Sequence, residues 1–212
     1  MSSREDILGR VRAALHRNAG NAAAAREVMT AALANRSPGP QPAVAKEPRA
    51  LLERFRLKSE QASSTVDIVA TDADVPAAIA KYLAAMKLPT TAVAWASLAA
   101  LDWAGAGLKV EARGARDADL VGITGCFCAV AETGTLMMTS SPATPAAVSL
   151  LPETHIAVVR AARIVPYMED AWNLARAELG SLPRAVNFIS GPSRTGDIEQ
   201  TIVLGAHGPY RV

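Results

Sequence analysis

The chain has 212 residues, of which 50% are hydrophobic and 20% are charged, and its formal net charge is only +2. This length suits one globular domain with a substantial core, and the small net charge argues against nucleic-acid binding, which concentrates positive charge on one face. No apolar stretch approaches the roughly 18 residues of a membrane helix, and the first six residues lack the apolar segment of a signal peptide. We therefore expect a cytoplasmic protein without a membrane span.

The first part of the chain is predicted to be helical. Apolar residues recur at helical spacing over residues 3–16, with Ser3 as N-cap, and residues 21–34 form an alanine-rich second helix. Residues 37–42 contain three prolines, which is typical of a linker. The predicted organisation is an N-terminal helical arm over 1–35, a proline-rich linker over 36–47 and an α/β domain over 48–212.

The remainder of the chain alternates between helical and strand patterns. Helices are predicted over residues 49–61, 75–86 and 166–179, and strands over 65–70, 91–95, 108–111, 119–124, 155–159 and 185–189. Two apolar runs, 126–131 and 135–139, form either a hairpin or a helix end that meets a strand. The alternation indicates an α/β fold with a mostly parallel, helix-covered sheet.

Residues 191–199 read Gly-Pro-Ser-Arg-Thr-Gly-Asp-Ile-Glu and follow a predicted strand. We predict that a helix begins here, so that Arg194 and the hydroxyls of Ser193 and Thr195 join free backbone N–H groups that favour an anion. A guanidinium matches a carboxylate or phosphate. Alternatively, Arg194 pairs with Asp197 or Glu199 and braces the loop. The candidate ligand-binding residues are Gly134, Thr135, Gly191, Ser193, Arg194, Thr195 and Asp197.

Two further residues are candidates for catalysis. Glu132 ends an apolar segment, where a carboxylate is suited to act as base or nucleophile; alternatively, Arg194 or backbone N–H groups satisfy it. His207 lies between two glycines, and it is either a general base or ligand donor, or a turn histidine bonded to backbone. His155 is expected to pack or hydrogen-bond locally within its strand. Three scattered histidines do not indicate a metal site.

The cysteines, Cys126 and Cys128, are predicted to share one face of a strand. This spacing suits neither a disulfide framework nor a four-ligand metal site. We interpret both as small buried apolar side chains, with a reactive thiol as the alternative.

Four segments in this order resemble the LutC/YkgG family of lactate-utilization proteins, which share the LUD domain: residues 131–135, 151–156, 191–199 and 205–209. The resemblance implies a three-layer α/β/α fold like that of the NagB/RpiA/CoA-transferase superfamily. It also implies a subunit without cofactor or cluster that works with iron–sulfur oxidoreductase subunits to oxidise L-lactate to pyruvate, and that binds a small anionic metabolite.

Three functions remain open at this point. The first is the component of the lactate-oxidation system that the resemblance implies. The second is an acyl- or CoA-transferring or phosphosugar-type enzyme that uses Glu132, an analogy at the level of the fold. The third is a non-catalytic interaction module that docks through the helical arm.

Overall fold

The computed structural model of the protein describes residues 3–18, 20–35, 37–196 and 202–212. The chain divides into two compact units, residues 1–41 and 42–212. The first unit contains helices α1 (Ser3–Ala14) and α2 (Ala22–Asn35), as the periodicity predicts. None of the residues described in these two helices is buried, and both expose apolar side chains such as Ile7 and Val28.

The second unit contains the remaining helices and all the strands that the structure describes. The helices are α3 (Pro48–Gln61), α4 (Val75–Ala85), α5 (Ala147–Leu150) and α6 (Met168–Leu179), with 3-10 turns at Asp72–Asp74, Ala96–Leu98 and Ala161–Arg163. The strands are β1 (Thr91–Ala94), β2 (Lys109–Ala112), β3 (Val121–Gly125), β4 (Cys128–Val130), β5 (Thr135–Thr139), β6 (Thr154–Val158), β7 (Ile164–Val165), β8 (Val186–Ile189), β9 (Arg194–Thr195) and β10 (Val203–Leu204).

The strands form two four-stranded sheets and one short hairpin. The first sheet has the order β2-β1-β3-β6 and is parallel throughout. The second has the order β7-β4-β5-β8, in which β5 runs antiparallel to both neighbours and β7 parallel to β4. The mixed α/β fold with a mostly parallel sheet is therefore confirmed, and the open question about residues 126–139 resolves as a β4–β5 hairpin.

Alternation along the strands distributes side chains between different cores. In β1, Ala92 packs in a core with α4, whereas Val93 packs in a core with α3. In β5, Met138 joins the core with α3, whereas Met137 packs against α6. The core that includes α3 therefore receives side chains from both sheets. The sequence predicted one helix-covered sheet, whereas the structure has two sheets that share this core.

The strand predicted over residues 65–70 is wrong, because these residues form no strand in the structure. Ile68 in this segment lies on the surface with 50% of its area exposed. The N–H of Thr65 donates to the carbonyl oxygen of Val212. A strand needs a neighbouring strand to pair with its backbone groups. The segment instead lines a cavity next to β6, an edge strand of the parallel sheet.

The two cysteines are expected to react slowly with alkylating agents. Cys128 is buried and Cys126 half-buried, and burial raises the pKa of Cys126 to about 12 and that of Cys128 to about 11. Because the thiolate is the nucleophile, alkylation of the native protein at pH 8 should be more than about 100-fold slower than that of a free thiol. Peptide mapping after iodoacetamide treatment measures this, with urea-unfolded protein as control. Labelling of Cys126 at the rate of a free thiol would contradict the burial interpretation.

Candidate functional site

The two loops that the sequence singles out lie side by side. Strands β5 and β8 pair antiparallel, with Leu136 opposite Ile189, so the residues before β5 adjoin those after β8. The hydroxyl of Thr135 lies 2.6 Å from that of Ser190 and 2.7 Å from that of Thr133. The hydroxyl groups of Thr133, Thr135 and Ser190 thus form a row that joins the loop before β5 to the loop after β8.

The C-terminal end of α3 packs directly on both loops. Gly134 has a φ of +69°, and a Cβ there would lie 2.5 Å from the backbone nitrogen of Ser59. Gly191 has a φ of +76°, and a Cβ there would lie 2.1 Å from the carbonyl oxygen of Ala62. Glycine alone tolerates both the left-handed backbone and so close an approach. Both glycines therefore have a structural role, which is to let α3 lie against the loops.

Arg194 and Thr195 do not form the start of a helix as predicted, because they form β9, which pairs antiparallel with β10; the rest of the predicted helix lies outside the described residues. The free N–H groups of a first helical turn, on which the predicted anion cradle depended, do not occur at these two residues. Asp197, which the sequence analysis also proposed as a ligand-binding residue, lies outside the described residues, as does Glu199. Thr195 is buried within the hairpin.

Arg194 braces the end of α3. Its Nη2 donates to the carbonyl oxygen of Ala62 at 3.4 Å and to the hydroxyl of Ser63. Among the described residues, no carboxylate forms an ion pair with Arg194, and its side chain is exposed. The predicted alternative, a pair with Asp197 or Glu199, lies outside the described residues, and the contact with the end of α3 accounts for one nitrogen of the guanidinium.

The proposed catalytic residues lie in separate turns. Glu132 is half-buried in the turn between β4 and β5, where its N–H donates to the carbonyl oxygen of Pro166. His207 is exposed, and its N–H donates to the hydroxyl of Ser193 at 3.3 Å. The N–H of Ser193 donates in turn to the carbonyl oxygen of Pro209. The contacts thus link His207 to Ser193, and no hydrogen bond described for these residues links either of them to Glu132.

A large cavity of about 880 Å³ lies beside these loops. It is open to solvent on one side and is lined by α3, residues 64–72, α4 and β6, with Gly134 and Gly191 on its wall. This volume falls within the usual range of ligand pockets, about 300–1,000 Å³. The described lining does not include Glu132, Arg194 or His207. The sequence alone does not indicate this cavity, because its walls come from segments far apart in the chain.

His155 is the buried titratable group on the cavity wall. Only 1% of its surface is exposed, and its Nε2 lies 2.8 Å from the hydroxyl oxygen of Thr124 on the neighbouring strand β3. Its Nδ1 has no hydrogen-bond partner among the described residues. Burial lowers the pKa of His155 to about 4, so the ring is neutral at pH 7. His155 packs inside its strand as expected, but its hydrogen bond joins a neighbouring strand rather than residues close to it in the chain.

Two other classes of site are absent from the described part of the chain. It contains no group of three or more His, Cys, Asp or Glu side chains that could hold a metal ion. It also contains no helix that is both long and apolar enough to cross a membrane.

A parallel sheet with helical layers, a second mixed sheet and two adjoining loops define a mixed α/β protein. Residues 52–212 match the LUD domain family, so the chain belongs to this family. The solved structure of a DUF162 family protein from Deinococcus radiodurans has a similar fold, with a TM-score of 0.60, 27% sequence identity and coverage of 79% of this chain and 96% of that chain.

Curated relatives match a shorter part of the chain. Lactate utilization protein C of an Exiguobacterium species is 42% identical over 95 residues, which cover 43% of this chain and 41% of that protein. The protein of the same name from Bacillus subtilis is 42% identical over 94 residues, which cover 43% of this chain and 39% of that protein. The chain thus spans about two fifths of the length of these relatives.

Proposed function

We propose that this chain is a component of a lactate-utilization system that oxidises L-lactate to pyruvate. The observation that carries the proposal is the 42% identity to lactate utilization protein C of Bacillus subtilis, within a chain that belongs to the LUD domain family. The matched segments cover 43% of this chain.

We assign the redox centres of the system to partner subunits, which we propose are iron–sulfur oxidoreductases. The donor chemistry of this chain supports that assignment. Iron–sulfur clusters are typically held by four cysteine thiolates, whereas this sequence contains two cysteines, Cys126 and Cys128. The chain would then contribute binding or assembly rather than electron transfer, in the cytoplasm where we place it.

A small anion is proposed to bind at Arg194. Lactate and pyruvate are carboxylates, and a guanidinium binds a carboxylate through two parallel hydrogen bonds. The contacts to Ala62 and Ser63 use Nη2, and among the described residues no hydrogen bond or ion pair occupies the other nitrogens of this exposed guanidinium. Ser193 adjoins Arg194 in the same turn, and the loop of Gly134 and Thr135 lies against the same end of α3. Glu132 and His207 stay predictions as catalytic residues.

Deletion and complementation in the source organism test the proposed function. A strain that lacks this gene should lose growth on L-lactate and keep growth on pyruvate, and the intact gene should restore it. Arg194→Lys keeps the positive charge and loses the two-pronged geometry, so it should restore growth only in part if an anion binds there. Normal lactate oxidation by the deletion strain would contradict the proposal.

Purification of the tagged chain from cells grown on lactate tests the partners, and recovery of iron–sulfur subunits is the expected result. Glu132→Gln distinguishes the enzymatic alternative, because it preserves size and removes the carboxylate. If the folded Glu132→Gln protein restores growth fully, an essential role of this carboxylate is excluded.

A further inference from the structure

We propose that the cavity between β6 and residues 64–72 is a slot one strand wide, and that it binds an extended, apolar peptide segment of a partner protein. The bound segment would add a strand to the parallel sheet, a recurring mode of peptide recognition. The proposal goes beyond the lactate-utilization function and does not depend on it, because it rests on the backbone geometry of this edge. It also concerns a place different from Arg194, which does not line this cavity.

Strand β6 directs backbone groups into the slot. The N–H of Thr154 donates to Leu120, next to β3, whereas the N–H of His155 donates to Arg211 on the opposite side. Because this direction alternates along a strand in a parallel ladder, the N–H and C=O of Ala157 also point away from β3. Among the described residues no strand pairs with Ala157 on that side, and Ala157 lines the cavity. Unpaired groups of this kind are a template for another strand.

Two backbone contacts give the slot the width of one strand. Arg211 pairs in parallel with the first residue of β6, and the N–H of Thr65 donates to the carbonyl oxygen of Val212 at 3.0 Å. Since Arg211 directs its backbone groups toward β6, Val212 directs its carbonyl away from β6, and Thr65 lies beyond it. One strand therefore separates β6 from Thr65 at this end, and the cavity continues the gap along residues 64–72.

The length of the slot corresponds to a short strand. At its other end Nη2 of Arg160, which follows β6, lies 3.0 Å from the carboxylate of Asp72. A strand residue takes up roughly 160 Å³, given a rise of about 3.3 Å, about 4.8 Å between strands and about 10 Å between packed layers. The volume of about 880 Å³ therefore accommodates about five residues.

Both faces of the slot are apolar, which sets the chemistry of the peptide. Helix α4 covers one face with Val75 and Ile79, which pack in a core with Ile156 of β6. Helix α3 covers the other face with Phe55, in the core that Ala157 joins. A strand that is buried on both faces is typically a near-continuous apolar run. The partner segment is therefore expected to carry apolar side chains at successive positions.

Residues 66–70 of this chain are the competing occupant, since their sequence has a strand pattern and they line the slot. The structure holds this segment at both ends, through the hydrogen bond of Thr65 to Val212 and the ion pair of Asp72 with Arg160. The first contact keeps the segment one strand away from β6. This arrangement favours a strand from outside over closure of the segment itself.

Binding of a synthetic peptide to the full chain tests the proposal. The probe is a fluorescein-labelled peptide with the central sequence Val-Val-Ile-Val-Val, flanked by two lysines at each end for solubility. We expect saturable binding with one peptide per chain, measured by fluorescence anisotropy. The same peptide with its three central amides N-methylated keeps the side chains and loses the donors, so it should bind at least about tenfold more weakly. Equal affinities of the two peptides would overturn the proposal.

Amide hydrogen exchange, followed by NMR, locates the added strand. Bound peptide should slow the exchange of the N–H groups of Ala157 and Val159 at least about tenfold. Val110 in β2 is the matched control, because it lies at the opposite edge of the same sheet and should not change. Unchanged exchange at Ala157 with the peptide bound would place the peptide elsewhere and overturn the proposal.

A pair of variants in α4 tests the location independently. Ala78→Phe places a ring in the slot, whereas Ala77, its exposed neighbour, does not line the cavity, so Ala77→Phe is the matched control. Ala78→Phe should weaken peptide binding at least about tenfold, and Ala77→Phe should leave it unchanged. Thermal unfolding identifies the variants that fold, and equal binding by both folded variants would contradict the location. If Ala78→Phe does not fold, hydrogen exchange in the unmodified chain still decides the location.

Absence of saturable binding by the unmodified chain would also overturn the proposal. Protection of the amides of residues 66–70 in the free chain would then identify these residues as the strand that pairs with β6. Neither result bears on growth on L-lactate, so failure of this proposal and failure of the lactate-utilization function are distinguished by separate measurements.

Discussion

Replacing Gly191 by alanine is expected to destabilise the α/β domain by about 3 kcal/mol. The φ of +76° is a left-handed conformation that costs a residue with a Cβ roughly 1–2 kcal/mol. The added Cβ would also lie 2.1 Å from the carbonyl oxygen and 3.0 Å from the carbonyl carbon of Ala62. Because these are backbone atoms, relief requires that α3 moves, and overpacking of this kind costs about 1–3 kcal/mol more.

Gly107→Ala is the matched control for the conformational part of this effect. Gly107 lies in the turn before β2 with a φ of +75°, and a Cβ there would have no atom within 4 Å. We therefore expect a loss of only about 1 kcal/mol. Urea unfolding followed by circular dichroism gives the free energy of unfolding of both variants. Equal losses in the two variants would show that the contact with Ala62 has no energetic consequence.

Gly134→Ala extends the same prediction to the neighbouring loop. Its φ is +69°, and the Cβ would lie 2.5 Å from the nitrogen of Ser59 and 2.6 Å from the carbonyl carbon of Lys58. The expected loss is again about 3 kcal/mol. Large losses at both glycines would establish that the end of α3 depends on close packing against these loops.

Lowering the pH from 7 to 4 is expected to reduce the free energy of unfolding by up to about 3 kcal/mol through His155. Burial lowers its pKa from the ordinary 6.5 to about 4. The unfolded chain therefore binds a proton below pH 6.5 that the folded protein does not take up until about pH 4. This contribution is fully present above pH 6.5 and is lost progressively as the pH falls toward 4, at about 1.4 kcal/mol per unit.

His155→Gln isolates this contribution, since glutamine does not titrate in this range. The difference in unfolding free energy between the unmodified protein and the variant should shrink steadily between pH 6.5 and pH 4. Carboxylates whose pKa is lowered by arginine partners, such as Asp119 and Glu178, titrate equally in both proteins and cancel in the difference. Parallel profiles for the unmodified protein and His155→Gln would contradict the burial of a neutral ring.

Hydrophobic periodicity predicted most elements to within one or two residues. The helix expected over 75–86 is α4 (Val75–Ala85), and the strand expected over 91–95 is β1 (Thr91–Ala94). Such predictions succeed where the side-chain pattern of a segment matches the burial that the segment finds in the fold. Residues 65–70 show the opposite case, because their alternating pattern fits a strand but the structure gives them no strand to pair with.

The candidate site was predictable in part. The adjacency of the loops around Gly134 and Gly191 follows from the general position of loops at strand ends. The role of these glycines does not follow from the sequence, because a Cβ at either position would meet atoms at the end of α3. Ala62, which a Cβ at Gly191 would meet, lies more than a hundred residues earlier in the chain. The predicted helix at Arg194 failed for a similar reason, since pairing with β10 involves residues that a local pattern does not include.

The order of residues alone was enough to indicate an α/β fold and the family, because helical and strand periods and short motifs are local properties of a chain. The segments that carry the resemblance lie within residues 52–212, which match the LUD domain family. Packing decided the rest. The cavity, the buried neutral His155 on its wall and the bracing of α3 by Arg194 each depend on residues that are distant in the chain and become neighbours only when the helices and sheets pack together.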